Sequence, residues 1–254
     1  MSETISPQPL LSIVVPTYNE KDNIPILAER IFTALAGTGI EAELIVVDDN
    51  SPDGTAAAAE ALKQKYPIKV VKRAGKLGLS SAVIAGWNAA SGYLLGVIDA
   101  DLSHDPAIIP DMVHSIMKGG AEIAVGSRYI PGGGISNWPF IRRLASWTAV
   151  MLGRPICPVK DVTSGFMIFR RNVIKGAKLN PIGFKINLEI LVKGHYTFVT
   201  EVPYTFVDRQ KGASKFGKNE IRNYLVHLFH LLWHHLKMRP KRRVIPYTPF
   251  PSAK

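Results

Sequence analysis

Short apolar runs and longer amphipathic stretches alternate along the first half of this chain. Leu11 to Val15 is β-branched and closes on Pro16, Leu44 to Val47 closes on Asp48-Asp49, and Ile68 to Val71 and Ile123 to Val125 are equally short. Tyr93 to Ile98 runs apolar into Asp99. Runs of this length, apolar throughout, predict strands buried on both faces. Between them Ile24–Leu35, Thr55–Tyr66 and Ser80–Ala90 carry apolar residues at helical spacing. Strand and helix in alternation predict an α/β fold with a doubly wound, mostly parallel sheet.

The second half is less regular. Pro131 to Gly134 predicts a flexible break, Phe140–Leu152 a helix, Met167–Phe169 a strand, and Phe198–Val207 a strand region interrupted by Pro203. Gln210 to Gly217 is a loop of Gly, Lys and Ser, and Asn219–Lys237 is strongly helical. The helix sets Ile221, Tyr224, Leu225, Leu228, Leu232 and Leu236 on one stripe, flanked by Phe229 and Trp233. It sets Asn223, His227, His230, His234 and Lys237 on the other side. With no carboxylate or cysteine beside them, these histidines do not predict a metal site.

Composition and charge narrow the class. Hydrophobic residues make up 46% of the 254, enough for a full core, and the lone cysteine, Cys157, excludes an intrachain disulfide. Residues 1–9 read as a polar, flexible N-terminus, without the basic region of a signal peptide. No apolar stretch reaches the length of a membrane-spanning helix. The net charge of +11 is uneven: residues 207–254 hold 11 Lys and Arg against 2 acids. Such an excess favours phosphates, anionic lipid or nucleic acid. No zinc-finger, helix-turn-helix or RNA-recognition pattern supports the last.

Polar and acidic groups gather where the strands end: Thr17 to Glu20, then Asp48 and Asp49, then Asp99 and Asp101. Ligands of open α/β sheets bind beyond the carboxyl ends of the strands. Two carboxylates at i and i+2 there can hold a hard divalent cation and leave room for substrate phosphates.

Taken in order, the segments Val15-Pro16-Thr17-Tyr18-Asn19-Glu20, Val46 to Thr55, Lys76-Leu77-Gly78-Leu79, Asp99 to His104, Gly126-Ser127-Arg128-Tyr129, Asp161 to Phe166, Val207-Asp208-Arg209 and Gly212-Ala213-Ser214-Lys215 form one pattern. The chain resembles the dolichol-phosphate mannose synthases, a branch of the family 2 glycosyltransferases, from about Leu11 to about Leu232. The resemblance implies a glycosyltransferase-A fold over residues 10–218, and transfer of mannose from GDP-mannose to a polyprenyl phosphate such as dolichyl phosphate. It implies a cofactor, Mg²⁺ or Mn²⁺, on Asp99 and Asp101. Ser103 stands where relatives often place Gln as a further ligand.

By the same resemblance Pro16, Tyr18, Glu20, Val47 and Asp49 border the nucleoside, and Ala100 touches the donor with its backbone. Arg128, Arg209 and Lys215 handle the donor phosphates, with Asp101, Arg128 and Arg209 the catalytic residues. Arg142 and Arg143 receive the acceptor phosphate. Asp161 and Glu189 have orienting roles only, and Asp48 and Asp53 are structural. Residues 219–254 are read as an amphipathic helix and basic tail on the cytoplasmic face of a membrane, self-sufficient there or recruited by a small membrane partner. The open alternative is the same fold using UDP-glucose or another donor, since Asp49 suits a pyrimidine as well as a purine.

Overall fold

The computed structural model describes residues 8–136, 138–180, 183, 185–208, 218–238 and 240–251. The apolar runs become β1 (Leu11–Thr17), β2 (Ala42–Asp48), β3 (Ile68–Lys72), β4 (Leu94–Val97) and β5 (Ile123–Ser127). The later strands are β6 (Gly134–Ser136), β7 (Met167–Arg170), β8 (Phe198–Pro203), β9 (Thr205–Val207) and β10 (Arg243–Ile245). Among the described residues the α-helices are α1 (Asn23–Leu35), α2 (Thr55–Ala61), α3 (Leu79–Ala89), α4 (Ile109–Met117), α5 (Phe140–Gly153), α6 (Ile186–Lys193) and α7 (Lys218–Met238).

Eight strands form one sheet in the order β10-β8-β5-β7-β4-β1-β2-β3. All neighbours pair in parallel except β7, which runs antiparallel between β4 and β5. Alternation along each strand divides the core in two. Leu11, Ile13 and Val15 of β1 and Leu44 and Val46 of β2 pack with Ile24, Leu27 and Ile31 of α1 and with α4. Val14, Ile45 and Val47 face the other way, toward Val83 and Trp87 of α3 and the residues of α6. The period of two in a strand and the i, i+3, i+7 spacing of α1 meet along one seam. Gly86 lets α3 come down on β1: a Cβ there would stand 2.4 Å from a Val14 methyl.

The Thr55–Tyr66 helix is shorter than its sequence predicts, ending at Ala61 and finishing as a 3-10 turn over Leu62–Gln64. The break at Pro131–Gly134 is a turn, with Gly132 at φ +87°, that delivers β6 onto β9 as a separate two-stranded ribbon. That ribbon folds over the carboxyl ends of the main sheet and packs Trp138, Tyr204 and Phe206 together.

The largest departure is in α7. Among its described side chains, from residue 222 on, the buried ones are Tyr224, His227 and Leu231, so the helix is rotated from the stripe its sequence suggests, of which Ile221 lies outside the described side chains. His227 lies inward, its Nε2 3.7 Å from Glu189 of α6. Leu225, Phe229, Leu232, Trp233 and Leu236 are exposed. The tail does not run free either. Arg242 donates to the carbonyls of Leu191, Val192 and Gly194 and lies 4.6 Å over the Tyr196 ring. β10 then joins the main sheet beside β8.

Candidate active site

Three strands that end side by side, β2, β1 and β4, are each followed by a residue in the left-handed region: Asn50 (φ 58°), Asn19 (φ 62°) and Leu102 (φ 61°). Asparagine tolerates that conformation, but for leucine it costs roughly 1–2 kcal/mol. The three turns throw the polar segments of the sequence together at one edge.

At the β2 end, Asp49 is buried and its Oδ2 accepts from the amides of Leu77 and Gly78, each at 3.0 Å. Arg73 Nη1 lies 2.7 Å from Oδ1 as an ion pair, yet no donor within the described residues is aligned to Oδ1 as a hydrogen bond. Beside it Tyr18 is half-buried, with Lys76 Nζ 4.0 Å above its ring. Glu20 accepts from Asn23 Nδ2 at 2.7 Å. Pro16 and Val47 are buried and form the floor. Asp48 and Asp53 are structural: Asp48 accepts from the Ser51 amide, and Asp53 from the amides of Thr55 and Lys21.

At the β4 end, Asp99 and Asp101 are both partly accessible, with Ala100 buried between them. Ser103 is buried and turns its hydroxyl onto Asp101 Oδ1, which its amide also meets at 3.1 Å. Ser103 therefore touches the carboxylate, the position of a residue that orients a ligand. Among the described residues no three His, Cys, Asp or Glu side chains gather as a closed metal cage. Two open carboxylates are the donor set a hard cation takes when substrate oxygens supply the rest.

Arg128 is placed differently from its sequence expectation. Its Nε and Nη2 are each 2.7 Å from the two oxygens of Asp161, and Nη2 also donates to Thr163 at 2.9 Å. Asp161 is wholly buried. Burial opposes the arginine's charge, but Asp161 outweighs it and holds the guanidinium above its ordinary pKa. The Nε–Nη2 edge of the guanidinium is thus closed on an internal carboxylate. Asp161 holds the Arg128 guanidinium and its amide in place.

Arg142 of α5 donates to Asp208 at 2.6 Å and lies 4.3 Å over the Trp138 ring, while Arg143 is exposed. Arg209 and Lys215 lie outside the described residues. The structure adds Lys185, just before α6, whose Nζ donates to the Thr163 carbonyl at 3.0 Å. Burial first, then Arg128, push its ammonium down to about 8, against the pull of Asp99 and Asp161. A cation leading the segment Ile186–Val192, five of whose seven residues are apolar, was its only mark in the sequence. Glu189 is held by Lys193 and the Asn180 amide, behind the site.

Residues 12–176 match the model of the glycosyl transferase family 2. Over 226 residues the chain is 49% identical to the dolichol-phosphate mannosyltransferase of Pyrococcus furiosus, covering 87% of this chain and 63% of that relative. It therefore spans less than two thirds of that relative's length. The polyprenol monophosphomannose synthase of Mycolicibacterium smegmatis is 36% identical over 231 residues, 86% of this chain and 85% of that one. The dolichol-phosphate mannosyltransferase of Saccharomyces cerevisiae is 38% identical over 228 residues, 85% of each. Among solved structures, glucosyl-3-phosphoglycerate synthase from Mycobacterium tuberculosis, in complex with Mn²⁺, UDP-glucose and phosphoglyceric acid, shares the fold. Its TM-score is 0.62 at 21% identity, over 88% of this chain and 78% of that one.

Proposed function

The chain belongs to the family 2 glycosyltransferases, and from that premise we propose that it transfers mannose from GDP-mannose to a polyprenyl phosphate such as dolichyl phosphate, using Mg²⁺ or Mn²⁺. The observation that carries the reading is the meeting of Asp49 with the Asp99/Asp101 pair at one sheet edge, in a chain akin to lipid-phosphate mannosyltransferases.

In this reading Tyr18 lies against the base, over the floor of Pro16 and Val47, with Glu20 at its border. Asp49 sets the edge formed by Arg73 and the Leu77–Gly78 amides. Asp99, the Ala100 backbone and Asp101, steadied by Ser103, hold the diphosphate end with the cation. When bound, the cation neutralises charge growing on the β-phosphate as the glycosidic bond breaks.

A lipid phosphate oxygen forms the new bond to the anomeric carbon as GDP leaves. The acceptor is anionic near neutral pH, so no strong base is needed. Arg142, aimed by Asp208, and Arg143 receive that phosphate. Lys185 supplies positive charge beside Asp99, and Arg209 and Lys215 complete the cations around the leaving group. Arg128 anchors the aromatic wall of Tyr129, Trp138 and Phe206, whose rings lie 5.3, 5.7 and 5.5 Å from its guanidinium.

Peripheral attachment to the cytoplasmic face of a membrane fits the outward faces of α5 and α7. Phe140 and Ile141 are 77% and 80% exposed, Phe229 and Trp233 68% and 69%. Tyr224 of α7 bonds to the Ala149 carbonyl of α5, so the two helices adjoin. Among the described residues no helix is long and apolar enough to cross a membrane. A small membrane subunit is a second means of holding the same face.

The test is transfer of label from a panel of radiolabelled nucleotide sugars to polyprenyl phosphate in vesicles. Mannose from GDP-mannose is expected in the lipid extract, lost in EDTA and restored by Mg²⁺ or Mn²⁺. Glucose from UDP-glucose in its place would overturn the donor, and full activity in EDTA the metal.

A further inference from the structure

The binding of donor and acceptor makes no use of the buried imidazole beside Asp99. His104 follows Asp101 by three residues and is 3% exposed. The rings of Phe166, Tyr204 and Phe206 enclose it, with centroids 5.6, 5.4 and 5.3 Å away. Both of its nitrogens meet side chains. Nδ1 lies 2.8 Å from the Tyr204 hydroxyl, and Nε2 lies 3.2 Å from Asp99 Oδ2. Tyr204 is itself buried, whereas the Asp99 side chain is 34% exposed. The three groups make a chain from the interior to an open carboxylate.

Sterics and lone pairs give that chain a direction. With a hydrogen on Nδ1 alone, the Nε2 lone pair would face a carboxylate oxygen. Every arrangement free of that repulsion puts a hydrogen on Nε2, donated to Asp99, with Nδ1 engaged by Tyr204. Gly165 closes the remaining side: a Cβ there would stand 2.5 Å from Asp99 Oδ2 and 3.0 Å from His104 Nε2. The segment leading into β7 thus lies directly on the contact, and only a residue without a side chain fits.

Resting on the reading of Asp99 as a metal ligand, we infer that His104, set by Tyr204, is a positioning residue that fixes the Asp99 carboxylate for the divalent cation. A carboxylate left to rotate must lose that freedom on binding metal. One already held by a neighbour does not, and outer partners of this kind carry about 10–100-fold in metal affinity.

The test is Mn²⁺ binding in the presence of GDP, followed by electron paramagnetic resonance with no sugar donor, so that no turnover enters. His104→Phe keeps a ring among the aromatics but cannot donate. It is expected to weaken Mn²⁺ binding about 10–100-fold, with the melting temperature in EDTA close to that of the parent. His104→Gln restores a donor and is expected to recover most of the loss. Tyr204→Phe, which removes one oxygen, is expected to weaken binding less than His104→Phe. Asp101→Ala separates the two readings: if it binds Mn²⁺ like the parent, the metal site itself is wrong. If Asp101→Ala abolishes binding while His104→Phe and Tyr204→Phe bind like the parent, the positioning role is overturned. Should His104→Phe fail to fold, Tyr204→Phe decides alone, and parental affinity in it overturns the inference.

Discussion

Glu43 and Asp49 stand at opposite ends of one strand, and they live under opposite conditions. Near the start of β2, Glu43 Oε1 accepts from Ser12 Oγ at 2.6 Å, the Ser91 amide at 2.7 Å and Ser91 Oγ at 2.6 Å, while Lys69 lies 2.9 Å from Oε2. Burial works to raise its pKa, but the bonds from Ser12, Ser91 and Lys69 outweigh burial and hold the carboxyl at about 2. Arg171 seals the same edge by donating to the carbonyls of Ala90 and Gly92. At the other end, Asp49 keeps an oxygen with no aligned donor, and Asp99 and Asp101 remain partly open. Left-handed Asn19, Asn50 and Leu102 sit there too. One end of the sheet closes its polar groups on each other. The other leaves Asp99 and Asp101 partly accessible, at the common edge to which parallel strands deliver their loops.

The sharpest break in that contrast comes from Asp101→Ala. It is expected to cut kcat by about 10²-fold or more, since cation and diphosphate both depend on it, with little change in melting temperature. A large thermal loss that explains the lost turnover would erase the distinction between the ends.

At the closed end, Glu43→Ala is expected to cost about 3 kcal/mol, the scale for removing one partner of a buried charged network, while kcat per folded molecule holds. The pH dependence has a definite sign. The folded pKa, about 2, lies below the carboxyl's ordinary value of 4.5, so Glu43 contributes in full above pH 4.5 and loses that contribution as pH falls toward 2. Urea melts of parent and Glu43→Gln should converge over that window. Curves that stay parallel would show that the network does not set the shift.

A smaller effect is expected from Arg142→Ala, about 10-fold in KM for the lipid phosphate with kcat less altered, because the residue is tethered for binding. Equal loss on kcat would move Arg142 into the chemistry. The smallest comes from Lys69→Met at the closed end. Lys69 is about half exposed, so its loss is expected to cost under about 1 kcal/mol, leaving the two serines as the main support of Glu43.

Much of this was legible before any fold was known. Each strand of the first half appeared as an apolar run, and Asp48-Asp49 and Asp99-Ala100-Asp101 marked strand ends that lie side by side. Helix α4 did not, because Pro110 sits at its second position and reads as a breaker although the first turn tolerates it. Helix α6 has only eight residues and is buried on every side from Ile186 to Val192, Asn187 and Glu189 included, so no apolar stripe marks it as a helix. β10 has three residues and exists only because β8 offers an edge.

What the sequence by itself determined is the alternating architecture, the carboxylates at the strand ends and the family. These depend on local periodicity and on motifs whose residues are neighbours along the chain. What only the tertiary structure decided is who meets whom. Arg128 is as basic in the sequence as Arg142, yet one is closed on Asp161, 33 residues away, and the other rests on Asp208. His104 is joined to Tyr204 across 100 residues, and α7 turns His227 and Leu231 inward and Leu225, Leu232 and Leu236 out. The physical reason is that a buried charge or polar group must find a partner. Side-chain identity states that need, but only packing determines which partner is within 3 Å.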